Sequence, residues 1–153
     1  MNNELKKLYN VILLDIDSIN PKMLWQYDLM EFEEMISYLS RYYELNISST
    51  DNIQILNDKI KLLNIKNYLT SIITINNPEE KKNKPNFYNM VLNDINYSDL
   101  NKVLILGHDL NNEILGGIRT GIDTCLCDKS LTDFSGISPT YKIDSYEKIK
   151  TLF

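Results

Sequence analysis

Short apolar runs, each long enough for one buried strand and no longer, recur along this chain with helical patterns between them. That alternation limits the fold more than any other feature. The runs are Val11 to Leu14, Leu45 to Ser48, Ser71 to Ile75, Val103 to Leu106 and Thr124 to Cys127. A run that is apolar at nearly every position, rather than every second one, belongs to a strand covered on both faces. Between the first two runs, Leu29, Phe32, Met35, Ile36, Leu39 and Tyr43 keep three- and four-residue spacing, which predicts a helix over Asp28 to Tyr43 with one apolar stripe. Ile53, Leu56, Ile60 and Leu63 do the same over Asn52 to Leu63, with Asp51 or Asn52 as the cap. A third helix enters after Pro85 through Phe87, Met90, Val91 and Ile95, and a fourth runs from Glu113 to Thr120 and stops at Gly121. The tail, TYKID then SYEKIKTLF, reads as a last strand and a closing helix. The alternation predicts an α/β fold: a three-layer, doubly wound, Rossmann-like and mostly parallel sheet with right-handed crossovers.

At 153 residues the chain is read as a single core domain, 1–153. A net charge of -5 leaves too little clustered Lys and Arg for an extended phosphate-binding face, so nucleic acid is not an expected partner. No apolar run is long enough to span a bilayer, and the opening MNNELKKLYN lacks the apolar core of a secretion signal; a cytoplasmic protein without a membrane partner is expected. Cys125 and Cys127 stand one residue apart on a strand, on the same face, where a disulfide would be strained. Two reduced, packed thiols are preferred to a metal or redox role. The loop Asn76 to Lys84, NNPEEKKNK, is the only strongly polar stretch between elements, and composition favours a solvated surface loop over a site loop.

In an open parallel sheet, ligands bind beyond the carboxyl ends of the strands, so the residues just after each run are the ones to compare. After the first run come Asp15 and Asp17 in LLDIDSIN. Ser48 and Ser49 follow the second, the loop leading to Lys84-Pro85 the third, and His108, Asp109 and Glu113 the fourth. Two acids separated by one residue suit a division of labour in which one attacks or binds a metal and the other handles a proton. A hydroxyl and a lysine from neighbouring strand ends suit the oxygens of a phosphate, and acids from the fourth loop suit a cation.

With these residues in this order, the chain resembles the haloacid dehalogenase-like superfamily of phosphotransferases and phosphatases, from Val11 to about Ile149. The resemblance implies an aspartyl-phosphate mechanism on a phosphate ester. Asp15 would be the nucleophile and Asp17 the general acid/base, with Ser49 and Lys84 holding phosphate. It also implies a divalent metal, magnesium, held by Asp15, Asp17 through its carbonyl, and an acid of the fourth motif. VLILGHDLNNEILGGIRTGIDTC is similar to that fourth region, with its glycine pair and later glycine.

Two departures from the family pattern bear on function; a third, Ile19 where the family usually has Thr or Val, is mild. First, aligned without gaps, the fourth-motif acids become His108 and Glu113. Magnesium prefers oxygen ligands, while manganese, iron, nickel or zinc accept imidazole well. Either His108 binds such a softer ion, or Asp109 takes its place through a one-residue shift, or the site is degenerate. Second, neither the stretch from Asp15 to Ser49 nor that from Ser49 to Lys84 leaves room for an inserted cap domain. The resemblance to capless members of the superfamily implies an exposed or macromolecular phosphate as substrate, or a protein partner or second copy that covers the site. His108, Glu113 and the missing cap together bring in a rival reading, a catalytically impaired binding or regulatory protein on the same fold.

Overall fold

A computed structural model describes residues 8–128 and 136–153. Residues 1–7, which contribute most of the opening segment read above as leaderless, lie outside them. The apolar runs pair in one six-stranded parallel sheet: β1 (Val11–Leu14), β2 (Glu44–Ser49), β3 (Ser71–Thr74), β4 (Val103–Gly107), β5 (Asp123–Cys127) and β6 (Tyr141–Ile143). Their spatial order is β3-β2-β1-β4-β5-β6. The chain therefore winds outward from β1 in one direction, returns, and winds outward in the other.

Alternate residues of each strand feed opposite layers. On one side Ile12, Leu14, Leu45, Ile47, Leu104 and Leu106 meet Phe32, Met35, Ile36 and Leu39 of α1 (Gln26–Ser40), and Leu56, Ile60 and Leu63 of α2 (Ile53–Leu63). The short C-terminal α5 (Ile149–Leu152) closes this layer through Ile149, with Phe153 beyond it. On the other side Val11, Leu13, Ile73, Val103 and Ile105 meet Phe87, Tyr88, Val91 and Leu92 of α3 (Pro85–Asp94). The fourth helix, α4 (Leu115–Thr120), packs against α3. Burial of both faces is what the unbroken apolar runs required.

Local signals set the element ends. The Asn52 side chain accepts from the Ile55 N–H at 2.9 Å and caps α2, which stops at Asn64 in the left-handed conformation, φ 58°. Pro85 occupies the first turn of α3. The first helix starts two residues before the expected Asp28 and ends at Ser40, short of Tyr43, because the backbone must turn into β2 at Glu44. Tyr43 is still buried, its N–H reaching back to the Leu39 carbonyl at 3.0 Å. The fourth helix is preceded by a π-helical turn, Leu110–Ile114, in which the Ile114 N–H reaches the Asp109 carbonyl at 3.4 Å. A π turn takes up one extra residue, a feature that recurs at functional sites. Cys125 and Cys127 are buried free thiols on one face of β5.

Candidate active site

The point where the winding reverses lies between β1 and β4, and a sheet of this kind opens a crevice there beyond its carboxyl edge. A cleft of about 560 Å³ occupies this position. It is lined by Asp17, Ser18, Thr50, Lys82, Asp109 and Glu113, with the loop 75–81 along one rim. The loop Asn76 to Lys84 is therefore a wall of the site. Its polar composition suits a water-filled cleft as well as it suits open solvent.

Asp15 follows β1 directly, and its N–H extends the ladder to the Leu106 carbonyl of β4 at 2.9 Å. The side chain is fully buried. One carboxylate oxygen accepts from the Asp17 N–H at 3.0 Å and the other lies 2.8 Å from Nζ of Lys82. Burial pushes this carboxyl up to about 8; the nearby Glu113 adds to the rise and Lys82 opposes it.

Asp17 has the opposite balance. Burial raises its carboxyl, but Lys82, the Ser49 hydroxyl and the Thr50 N–H together outweigh that effect and hold it below the usual carboxylate range. Ser49 Oγ donates to Asp17 at 2.5 Å, the Thr50 N–H at 2.9 Å, and Lys82 Nζ pairs with the same carboxylate. Behind it, Lys59 of α2 donates to the Asp17 carbonyl oxygen at 2.7 Å and to Asp51 at 3.1 Å.

The lysine in the site is Lys82, not the expected Lys84. Pro85 holds its predecessor in extended backbone, φ -102° and ψ 143°, and Lys84 becomes the exposed N-terminal flank of α3. Two residues earlier the chain dips inward. The Lys82 carbonyl rests against Gly116, where an added Cβ would lie 1.7 Å from that oxygen, and Arg119 donates to the Asn83 carbonyl at 3.0 Å. The α4 glycine thus seats the loop that delivers the lysine. Lys82 is buried, which alone would lower its ammonium, but Asp15 and Asp17 override this and raise it.

The fourth loop divides at the π turn. Glu113 is buried facing the cleft, one of its oxygens accepting from the N–H groups of His108 at 3.1 Å and Asp109 at 3.0 Å. Burial raises its carboxyl, against the pull of Lys82 and the N–H groups. Asp109 lines the cleft and accepts from the Asn111 N–H and the Asn112 amide. His108 lies apart from them. Its Nε2 shares a 2.9 Å hydrogen bond with the Tyr146 hydroxyl, and its ring packs against Phe32 and Tyr146 at centroid separations of 6.4 and 5.8 Å. It lines a separate pocket with Cys127, Asp128 and Tyr146. Burial lowers the imidazole to about 4, with the Asp15 carbonyl opposing.

The structure thus brings together Asp15, Asp17, Ser49, Asp109 and Glu113 and leaves out Lys84 and the ring of His108. Sequence reasoning missed Lys82, Thr50 and Lys59. The paired lysines Lys81-Lys82 inside the polar loop, with the small residue at Gly116, were the available signal for the first of these.

A fold of this topology with two acids after β1 and a lysine on them defines a class, and comparison with known proteins agrees. The family model for haloacid dehalogenase-like hydrolases matches residues 4–127, and the chain belongs to that family. It has the core sheet and its helices without a separate cap among the described residues. A candidate phosphatase from Clostridium difficile superposes with TM-score 0.72 at 16% identity, covering 95% of this chain and 98% of that one. A protein of Listeria monocytogenes serotype 4b, uncharacterised, gives TM-score 0.68 at 12% identity, with 93% and 95% covered. YfnB of Bacillus subtilis, a candidate hydrolase of the family solved bound to magnesium, gives TM-score 0.69 at 23% identity over 77% of this chain and 52% of its own. The chain thus spans about half the length of YfnB and nearly the full length of the other two. No curated protein matches the sequence.

The family generally uses magnesium, and the residues here do not fit it. Among the described residues no group of three or more His, Cys, Asp and Glu side chains is placed to hold a metal ion. The Asp17 carbonyl is taken by Lys59, the ring of His108 by Tyr146, and both Asp109 oxygens by its own loop.

Proposed function

We propose that the chain is a phosphoric monoester hydrolase in which Asp15 is the nucleophile. The observation that carries this reading is the pair of acids after β1 sharing one buried lysine, beside a hydroxyl and an N–H that converge on a single oxyanion. Ser49, the Thr50 N–H and Lys82 are the donors that would hold phosphoryl oxygens. At present they hold the Asp17 carboxylate. An incoming phosphate takes over these donors and releases Asp17 to face the leaving oxygen.

Once phosphate has taken its donors, Asp17 accepts the proton that burial keeps on Asp15; an Asp15 oxygen then forms a bond to phosphorus while the bond to the leaving oxygen breaks, and Asp17 passes that proton to the leaving oxygen. Asp17 then removes a proton from water, water attacks phosphorus, and the Asp15–phosphorus bond breaks to return the free carboxylate. Ser49 and Lys82 hold the transferred group through both steps. The chain acts as one core domain, in the cytoplasm, on a phosphate that an uncapped cleft can admit.

The test is turnover of a generic aryl phosphate by the parent and by Asp15→Asn. Turnover by the parent that disappears in the folded variant supports the reading, and equal turnover by both removes it. The second reading, a binding or regulatory protein, is favoured by one observation: the Asp17 carboxylate already fills the oxyanion donors. A parent that binds inorganic phosphate yet turns over no ester supports it.

A further inference from the structure

We infer that this cleft binds a phosphate without a divalent cation, its positive charge supplied by two lysines, Lys82 and Lys59. The inference rests on the reading of the cleft as a phosphate site and concerns what neutralises that phosphate. Three acids, Asp15, Asp17 and Glu113, meet at the switch point, and a phosphate added to them needs compensating positive charge. Lys82 supplies one such charge from within the site: it is 7% exposed and pairs with both acids after β1. Lys59 supplies the second. Its Nζ lies 2.7 Å from the Asp17 main-chain oxygen and 3.1 Å from Asp51, so an ammonium stands against the loop oxygen that the family resemblance assigns to a cation.

The other donors are committed in the same sense. The Glu113 oxygen that reaches the loop is spent on two N–H groups, and Asp109 caps its own turn. Glu113 and Asp109, at either end of the π turn, line the cleft, while the imidazole is held against Tyr146 in a separate pocket. A cation entering here would need Lys59 and Lys82 to give up charge-assisted bonds, which are about twice as strong as neutral ones.

The experiment is calorimetric titration of inorganic phosphate into the full chain, once in excess chelator and once in millimolar magnesium or manganese. The expected result is the same affinity in both, lost in Lys82→Met. Manganese titrated alone should show no binding to the parent. It should bind measurably to Lys59→Ala, where the Asp17 carbonyl is released. Phosphate binding that appears only with the metal, or strengthens about tenfold on its addition, overturns the inference. Aryl phosphate turnover under the same two conditions separates this result from the catalytic reading. Metal-dependent turnover with metal-dependent binding leaves the phosphatase and removes the lysine site. Metal-free binding without turnover does the reverse, and no phosphate binding in either buffer removes both.

Discussion

At the scale of single residues, the lone histidine and the lysine of the site show how far a sequence can be read. His108 follows β4 where a metal ligand was expected, and its position at the strand end was legible. The direction of its ring was not, because that depends on Tyr146, thirty-eight positions later. Its buried neutral state has a measurable consequence. The folded imidazole titrates near 4 against an unfolded value near 6.5, so the unfolded chain binds the extra proton between these limits. The stability His108 contributes is complete above pH 6.5 and is lost as pH falls toward 4, by about 2 kcal/mol between pH 7 and 5. Asp15, with its raised carboxyl, changes stability in the opposite sense over that range, so the comparison must be with a variant. His108→Gln should lose less stability than the parent on going from pH 7 to 5, by that amount, in urea unfolding at the two pH values.

Lys82 and Lys84 separate in the same way. Lys82→Ala leaves the buried Asp15 and the half-buried Asp17 without their cation, and a cost on the order of 3 kcal/mol is expected in urea unfolding, together with loss of phosphate binding. Lys84→Ala changes an exposed flank and should stay within about 0.5 kcal/mol. Equal effects from the two would contradict the placement. The Lys-Pro pair read correctly as the start of α3, but the spacing could not show that the loop ahead of it folds inward.

At the scale of elements, strands and helices were largely legible because both carry their periods in the sequence. β1 and the third helix's entry at Pro85 fall where expected, whereas the first helix and the fourth loop differ. The π turn was invisible in the pattern: five residues, Leu110–Ile114, keep helical composition while the hydrogen bonds lengthen by one residue. Of the two expected alignments, His108 with Glu113 or a shifted Asp109 with Glu113, it is Asp109 and Glu113 that line the cleft. α4 matters beyond its length because Gly116 is the seat of the Lys82 loop. Gly116→Ala places a methyl group on the Lys82 carbonyl and within 3.1 Å of Tyr88. Overpacking of this kind costs about 1–3 kcal/mol. Because it moves the loop and not the acids, it should weaken phosphate binding while unfolding stays cooperative; calorimetry and thermal unfolding of one sample give both answers.

At the scale of the whole molecule, no separate cap covers the sheet among the described residues, and the segment after β1 carries exposed apolar side chains: Met23 at 78%, Trp25 at 79% and Tyr27 at 66%. Among the described residues no helix is long and apolar enough to cross a membrane. An open cleft does not select against bulk. If the chain is a phosphatase, kcat/KM for a phosphoserine peptide should match or exceed that for a small alkyl phosphate, and a strong preference for the small ester would point to a cover that closes over the site. Openness was legible from the two spacings that leave no room for a cap. The identity of what enters was not, since nothing in strand ends or helical stripes encodes a leaving group.

The place of β1 at the centre of the sheet also sets when the cleft exists during synthesis. The acids after β1 leave the ribosome well before β4 does, yet the main-chain N–H of Asp15 is anchored to Leu106, and Val11 to Leu14 pair with Val103 to Leu106. A nascent chain that has already emerged through β3 holds both acids and Ser49 beside a sheet edge still waiting for its inner neighbour. Such non-local pairing is slow to form and leaves apolar strand surface exposed meanwhile. Chains arrested before β4 should therefore be open to protease along β1, and protection should appear in one step once residue 107 has cleared the exit tunnel.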